Sequence, residues 1–164
     1  MKKFFRIFGW LILIVLIIIQ FFHPSKNIQA GPFPKMIANV YPLPDSVDKI
    51  LKTSCTDCHS NNTNYPWYNN IQPVAWWLNN DVEAGKRALN FDEFAGYPIR
   101  KQFKRLEDIN KEIKEDGMPL PSYLWIHKSS KLNEQQKLTV SNWCMAMRDS
   151  MKLKYPIDSL MRKK

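Results

Sequence analysis

Hydrophobic and polar positions divide this chain into four stretches. The first is an apolar run, "IFGWLILIVLIIIQFF", from Ile7 to Phe22, with Gln20 as its only polar member and Lys2, Lys3 and Arg6 before it. Counted with Phe4 and Phe5 it approaches the ~20 residues a helix needs to cross a bilayer. Basic residues ahead of the run orient such a helix with its N-terminus in the cytoplasm. The pattern therefore predicts an uncleaved anchor over 1–22: a single-pass inner-membrane protein with its C-terminal domain in the periplasm. A cleaved signal ending near Ala30 is the competing reading.

Residues 23–44 carry Pro24, Pro32, Pro34, Pro42 and Pro44 without helical periodicity, which reads as an extended tether. From 45 to 154 the pattern is that of an all-α domain. Asp45 or Ser46 can cap a helix with Val47, Ile50 and Leu51 on one face. Pro73 suits the first turn of a second helix through "VAWWLNNDVEAGKRAL". A third runs from about Arg100 to Asp116, with Phe103, Leu106, Ile109 and Ile113 on one side and Gly117 as its stop. Asn133 and Gln136 have capping-box spacing and open a last helix bearing Leu138, Trp143, Cys144 and Met147. Residues 155–164 form a basic tail expected to fray. No stretch alternates long enough for a sheet.

Charge adds little to this picture. The chain has 24 Lys and Arg against 15 Asp and Glu, a formal charge of +9, and setting aside the three basic residues before the apolar run leaves +6. A balance of that size suits docking to an acidic protein partner; no basic and aromatic strip of the nucleic-acid-binding kind accompanies it.

The chemistry concentrates in "SCTDCHS". With 3 Cys and 3 His in the whole chain, one C-x-x-C-H arises by accident about once in a thousand such sequences. Two thiols three positions apart can add to the two vinyl groups of a porphyrin edge, and the next His can bind iron. Cys55, Cys58 and His59 are thus candidates for covalent haem attachment with His59 as an iron ligand. Two other readings stay open: a zinc site drawing on Cys55, Cys58, His127 and Cys144, and a thiol-disulfide switch.

A haem iron has a second axial position. Met118, presented by "EDGMPLPSY" between a helix-ending Gly and a Pro, is one candidate, and His127 in "YLWIHKSSKL" is its rival. The aromatic cluster around Tyr65 and Trp67, with Tyr68, Trp76 and Trp77, reads either as core or as a wall for the macrocycle.

"CTDCHSNNTNYPWYNNIQPVAWWLNNDVEAGKRALNFDEF" followed by "GMPLPSYLWIHKSSKLNEQQKLTVSNW" resembles the small bacterial haem-binding domain family, over roughly Ser46 to Trp143. The resemblance implies a cytochrome c-like domain around one covalent haem c, with His59 as proximal and Met118 as distal ligand. Asp81 stands where that family often has a His, so no ligand role transfers to it. The expectation that follows is a membrane-anchored mono-haem electron carrier serving redox partner proteins, more a carrier than an enzyme. The alternative is a haem enzyme or a gas or redox sensor whose distal ligand is labile.

Overall fold

Apolar residues spaced three and four apart give helices a face to bury, and helices are what form. The computed structural model describes residues 1–161. Among these the α-helices are α1 (Lys2–Ile19), α2 (Asp45–Ser54), α3 (Thr56–His59), α4 (Val74–Ala88), α5 (Ile99–Lys114), α6 (Pro121–Leu124), α7 (Glu134–Lys154) and α8 (Ile157–Leu160), joined by loops and short 3-10 turns. The described residues contain no strand, only an isolated antiparallel bridge between Ile28 and Asn62.

The expected membrane-spanning helix is not supported. No helix among the described residues is long and apolar enough to cross a membrane. α1 has 18 residues, but Lys2, Lys3 and Arg6 belong to it. Its uncharged part, residues 7–19, spans about 20 Å at 1.5 Å per residue, against the ~30 Å hydrocarbon core of a bilayer. The run also outlasts the helix. Gln20 Nε2 donates to the Gln72 carbonyl (3.2 Å), Gln72 N–H donates to Gln20 Oε1 (2.9 Å), and Gln72 Nε2 donates to the Phe22 carbonyl (2.7 Å). Phe21 and Phe22 follow the helix in turns, their N–H groups donating to the carbonyls of Ile18 (3.2 Å) and Ile19 (3.1 Å). The single-pass inner-membrane placement with a periplasmic domain rested on that span and conflicts with the same finding.

Residues of the Pro-rich segment pack against the helical domain. Asn27 is buried, and its Nδ2 donates to the Ser60 carbonyl (2.9 Å) and to Thr63 Oγ1 (3.0 Å). Ile37 is buried too, Tyr41 packs edge-on against Phe94, and its hydroxyl donates to Gln102 Oε1 (2.7 Å).

The core forms where α2 and α5 meet α7. Val47, Ile50 and Leu51 of α2 are buried with Phe103, Leu106 and Ile113 of α5 and Val140, Trp143, Cys144 and Met151 of α7. Burying one such side chain contributes roughly 1.5–3 kcal/mol. Asn133 and Gln136 do form the capping box. Three details depart from expectation. α2 begins after Pro44 with no side-chain cap. Leu138 faces solvent. The tail does not fray at once, because α8 seats Leu160 in the core; residues 162–164 of the expected tail lie outside the described residues.

Candidate functional site

The C-x-x-C-H stretch makes its own turn of helix. α2 stops where Cys55 leaves helical geometry (φ −127°, ψ −40°), and α3 follows. The Cys55 carbonyl accepts from the N–H groups of Cys58 (3.2 Å) and His59 (3.0 Å), which gathers the three side chains on one short element.

α3 packs on α4, and Gly85 is the reason it can. A Cβ at position 85 would sit 2.6 Å from the Cys58 carbonyl oxygen and 3.0 Å from Cys58 Cβ. That closeness brings two carbonyls to His59. Its Nδ1 lies 3.1 Å from the Gly85 oxygen and 2.9 Å from the Leu89 oxygen. Carbonyls only accept, so Nδ1 carries the proton and Nε2 is left with its lone pair. Burial holds the imidazole below its usual pKa, opposed in part by those same two hydrogen bonds. His59 is thus a neutral, oriented imidazole, the state in which it binds a metal.

Cys55, Cys58 and His59 line a cavity of about 690 Å³ together with Met118. The volume falls in the range of small-molecule and cofactor sites. Leu89, Phe91, Ile109, Ile113, Pro119 and Leu120 make its apolar walls. Met118 reaches it from the end of α5, where the Glu112 carbonyl accepts from the N–H groups of Gly117 (2.9 Å) and Met118 (3.3 Å). The left-handed residue at that helix end is Asp116 (φ 55°), not the glycine expected to stop it.

The other predicted residues lie elsewhere. Tyr65 and Trp67 do not line the cavity. The Tyr65 hydroxyl accepts from the Asn27 N–H (2.7 Å), and Trp67 is 75% exposed. His127 is also absent from the lining. Its Nε2 is bonded to the Tyr68 hydroxyl, and its ring stacks on Tyr123 at 4.2 Å between centroids. Burial places Cys144 in the core and pushes its thiol up to about 12. The four proposed zinc ligands therefore do not surround one cavity, and no group of three His, Cys, Asp or Glu among the described residues could hold a metal ion.

The thiol-switch reading also weakens. Burial, with Cys58 beside it, pushes the Cys55 thiol up to about 12; burial, with Asp57 and Asp81 beside it, pushes Cys58 up to about 11. Thiolate, the form that attacks disulfides, is scarce at such values.

Several lining residues had no signal in the chain's pattern. Asp57 Oδ2 accepts from the Tyr123 hydroxyl (2.7 Å), which ties α3 to α6. Burial first and that carboxylate second raise the pKa of Tyr123. Arg105, Asp108 and Glu112 share one side of α5 at the three- and four-residue spacing of a helix face. Gly85, an isolated glycine inside a helical pattern, was the one position whose type could have announced a close approach.

A family described as a haem-binding domain matches residues 14–146. No curated protein and no solved structure matches the chain. The site fits that group on its own evidence: paired thiols and an oriented imidazole share a largely apolar cavity with a thioether, and the Nε–H of Arg105 is buried without an acceptor.

Proposed function

The chain belongs to the haem-binding domain family, and we propose that it carries one haem c, bound covalently through Cys55 and Cys58, as a one-electron carrier. Haem supplies the redox centre. His59 would give Nε2 to the iron and Met118 its sulfur, while the apolar walls limit water at the ring. A six-coordinate iron changes charge with little rearrangement and leaves no vacant position for substrate, which favours electron transfer over turnover.

The observation that carries this reading is that Cys55, Cys58, His59 and Met118 line one cavity. Distance along the chain makes that informative, since residue 118 is far from 59 in sequence. Backbone support differs from ligand to ligand but exists for both: two carbonyls for His59, and the Glu112 carbonyl for the Met118 loop.

The test is a pyridine haemochrome spectrum of the full chain after co-expression with c-type maturation proteins and extraction with acidic acetone. Haem retained by the wild type and lost in Cys55→Ser/Cys58→Ser is the expected result. Complete extraction of haem from the wild type would overturn covalent attachment. In Met118→Ala the haem stays attached and the reduced protein gains carbon monoxide binding. A wild-type protein that already binds carbon monoxide would instead place it among ligand-binding haem proteins.

A further inference from the structure

The charged groups around the cavity are unevenly matched. Asp57, Asp81, Asp108 and Glu112 contribute carboxylates, and Arg105 is the one Lys or Arg among the lining residues. Asp57 already accepts from Tyr123 (2.7 Å) and from the Asn64 N–H (3.2 Å). Asp108 is shared, with Oδ1 2.8 Å from Lys104 Nζ and Oδ2 2.7 Å from Arg105 Nη1.

Arg105 itself is only partly satisfied. Its Nε is buried and has no hydrogen-bond acceptor, although the side chain as a whole is 32% exposed. It stands at the margin of the cavity, because it also lines a shallow outer groove with Pro98, Arg100, Lys101 and Lys104. A buried N–H without a partner carries its full desolvation penalty. Beside a cavity, such a group calls for an acceptor that arrives with the ligand.

Haem brings two carboxylates on the edge away from its vinyl groups. In a cavity lined by four aspartates and glutamates, an entering carboxylate is repelled except at the guanidinium. We infer that Arg105 is the propionate anchor of this site: Nε–H donates to one haem propionate while Nη1 stays on Asp108. The ion pair need not break, since Lys104 shares the Asp108 charge. This inference rests on the haem reading above and adds the residue that orients the polar edge of the ring.

An opposite charge within about 4–6 Å lowers a carboxyl pKa by roughly 1–3 units. Arg105 therefore keeps the propionate ionised to lower pH. An ionised propionate favours the ferric state, so the midpoint potential falls as pH rises through that pKa. The groups around Arg105 that contribute to the same field are Arg100, Lys101, Lys104, Asp108 and Glu112 on α5, Asp57 on α3, Asp81 on α4 and Tyr123 on α6.

The experiment is the midpoint potential of the purified full chain as a function of pH for wild type, Arg105→Gln, Arg105→Lys and Asp108→Asn. Arg105→Gln moves the fall in potential to higher pH by about one unit or more. Arg105→Lys keeps most of the wild-type profile, and Asp108→Asn moves the fall to lower pH by removing a competing negative charge. Superposition of the Arg105→Gln and wild-type profiles overturns the inference; if that variant cannot be purified, an unmoved Asp108→Asn profile does so. A pyridine haemochrome on the same samples separates the two readings. If the wild type holds no covalent haem, attachment fails, and Arg105 is tested by titrating free ferric haem: binding weaker by about tenfold or more in Arg105→Gln supports the anchor, and equal binding overturns it.

Discussion

Two glycines stand beside the residues that face the cavity, and the space around them is not alike. Gly85 is pressed against the backbone of Cys58, with no room for a Cβ. Gly117, next to Met118, has the carboxylate tip of Glu112 as its nearest neighbour, and Glu112 is an exposed, flexible side chain. Backbone against backbone cannot yield; the end of a glutamate can swing into water. The His59 side of the site is therefore set by helix packing, and the Met118 side by a loop whose neighbours can move.

The sharpest way to break that contrast is Gly85→Ala. It should lower stability by about 1–3 kcal/mol, the range for overpacking, and reduce the amount of haem bound, because α3 must shift and the carbonyls of Gly85 and Leu89 leave His59. Thermal melting and haem yield equal to wild type would remove the argument. A pH titration gives a smaller effect confined to the same side. In protein prepared without haem, the folded His59 holds its proton less tightly than the unfolded chain does. The unfolded state then binds more protons as pH falls below the usual 6.5 of histidine, so stability declines there, and it is fully retained above that value. Urea midpoints across this window check the sign, and His59→Ala should flatten the slope.

Gly117→Ala is the matching test on the other side. Rotation of Glu112 should hold its cost below about 1 kcal/mol, near the level of surface substitutions. Smallest of all is Trp67→Ala, whose side chain is largely in solvent. Its stability should stay within about 0.5 kcal/mol of wild type, with an unchanged haem spectrum; a shifted spectrum would return the aromatic cluster to the cofactor.

What could be read ahead of the structure was local. Val47, Ile50 and Leu51 share a helix face by spacing alone, and Asn133 caps Gln136 across three residues. The thiols and His59 of the C-x-x-C-H stretch are close because one helical turn makes them so. Met118 was legible as a candidate, and its loop does open onto the same cavity. Tyr65 and Trp67 lie off the cavity lining: an aromatic ring is wall or surface according to which elements arrive beside it, and composition does not carry that. The apolar run misled in the same way, since its helix ends at Ile19, short of Phe21 and Phe22, and Gln20 bonds to Gln72, 52 positions along the chain.

Taken by itself, the order of residues determined the helical class, the paired thiols with their histidine, and the caps and faces that depend on neighbours a few positions apart. Tertiary structure alone decided that His59 turns Nδ1 to the carbonyls of Gly85 and Leu89, that Tyr123 holds Asp57, and that the Nε of Arg105 is buried without an acceptor. Hydrogen bonds, close approaches and desolvation act between atoms in space, and folding sets which distant residues meet.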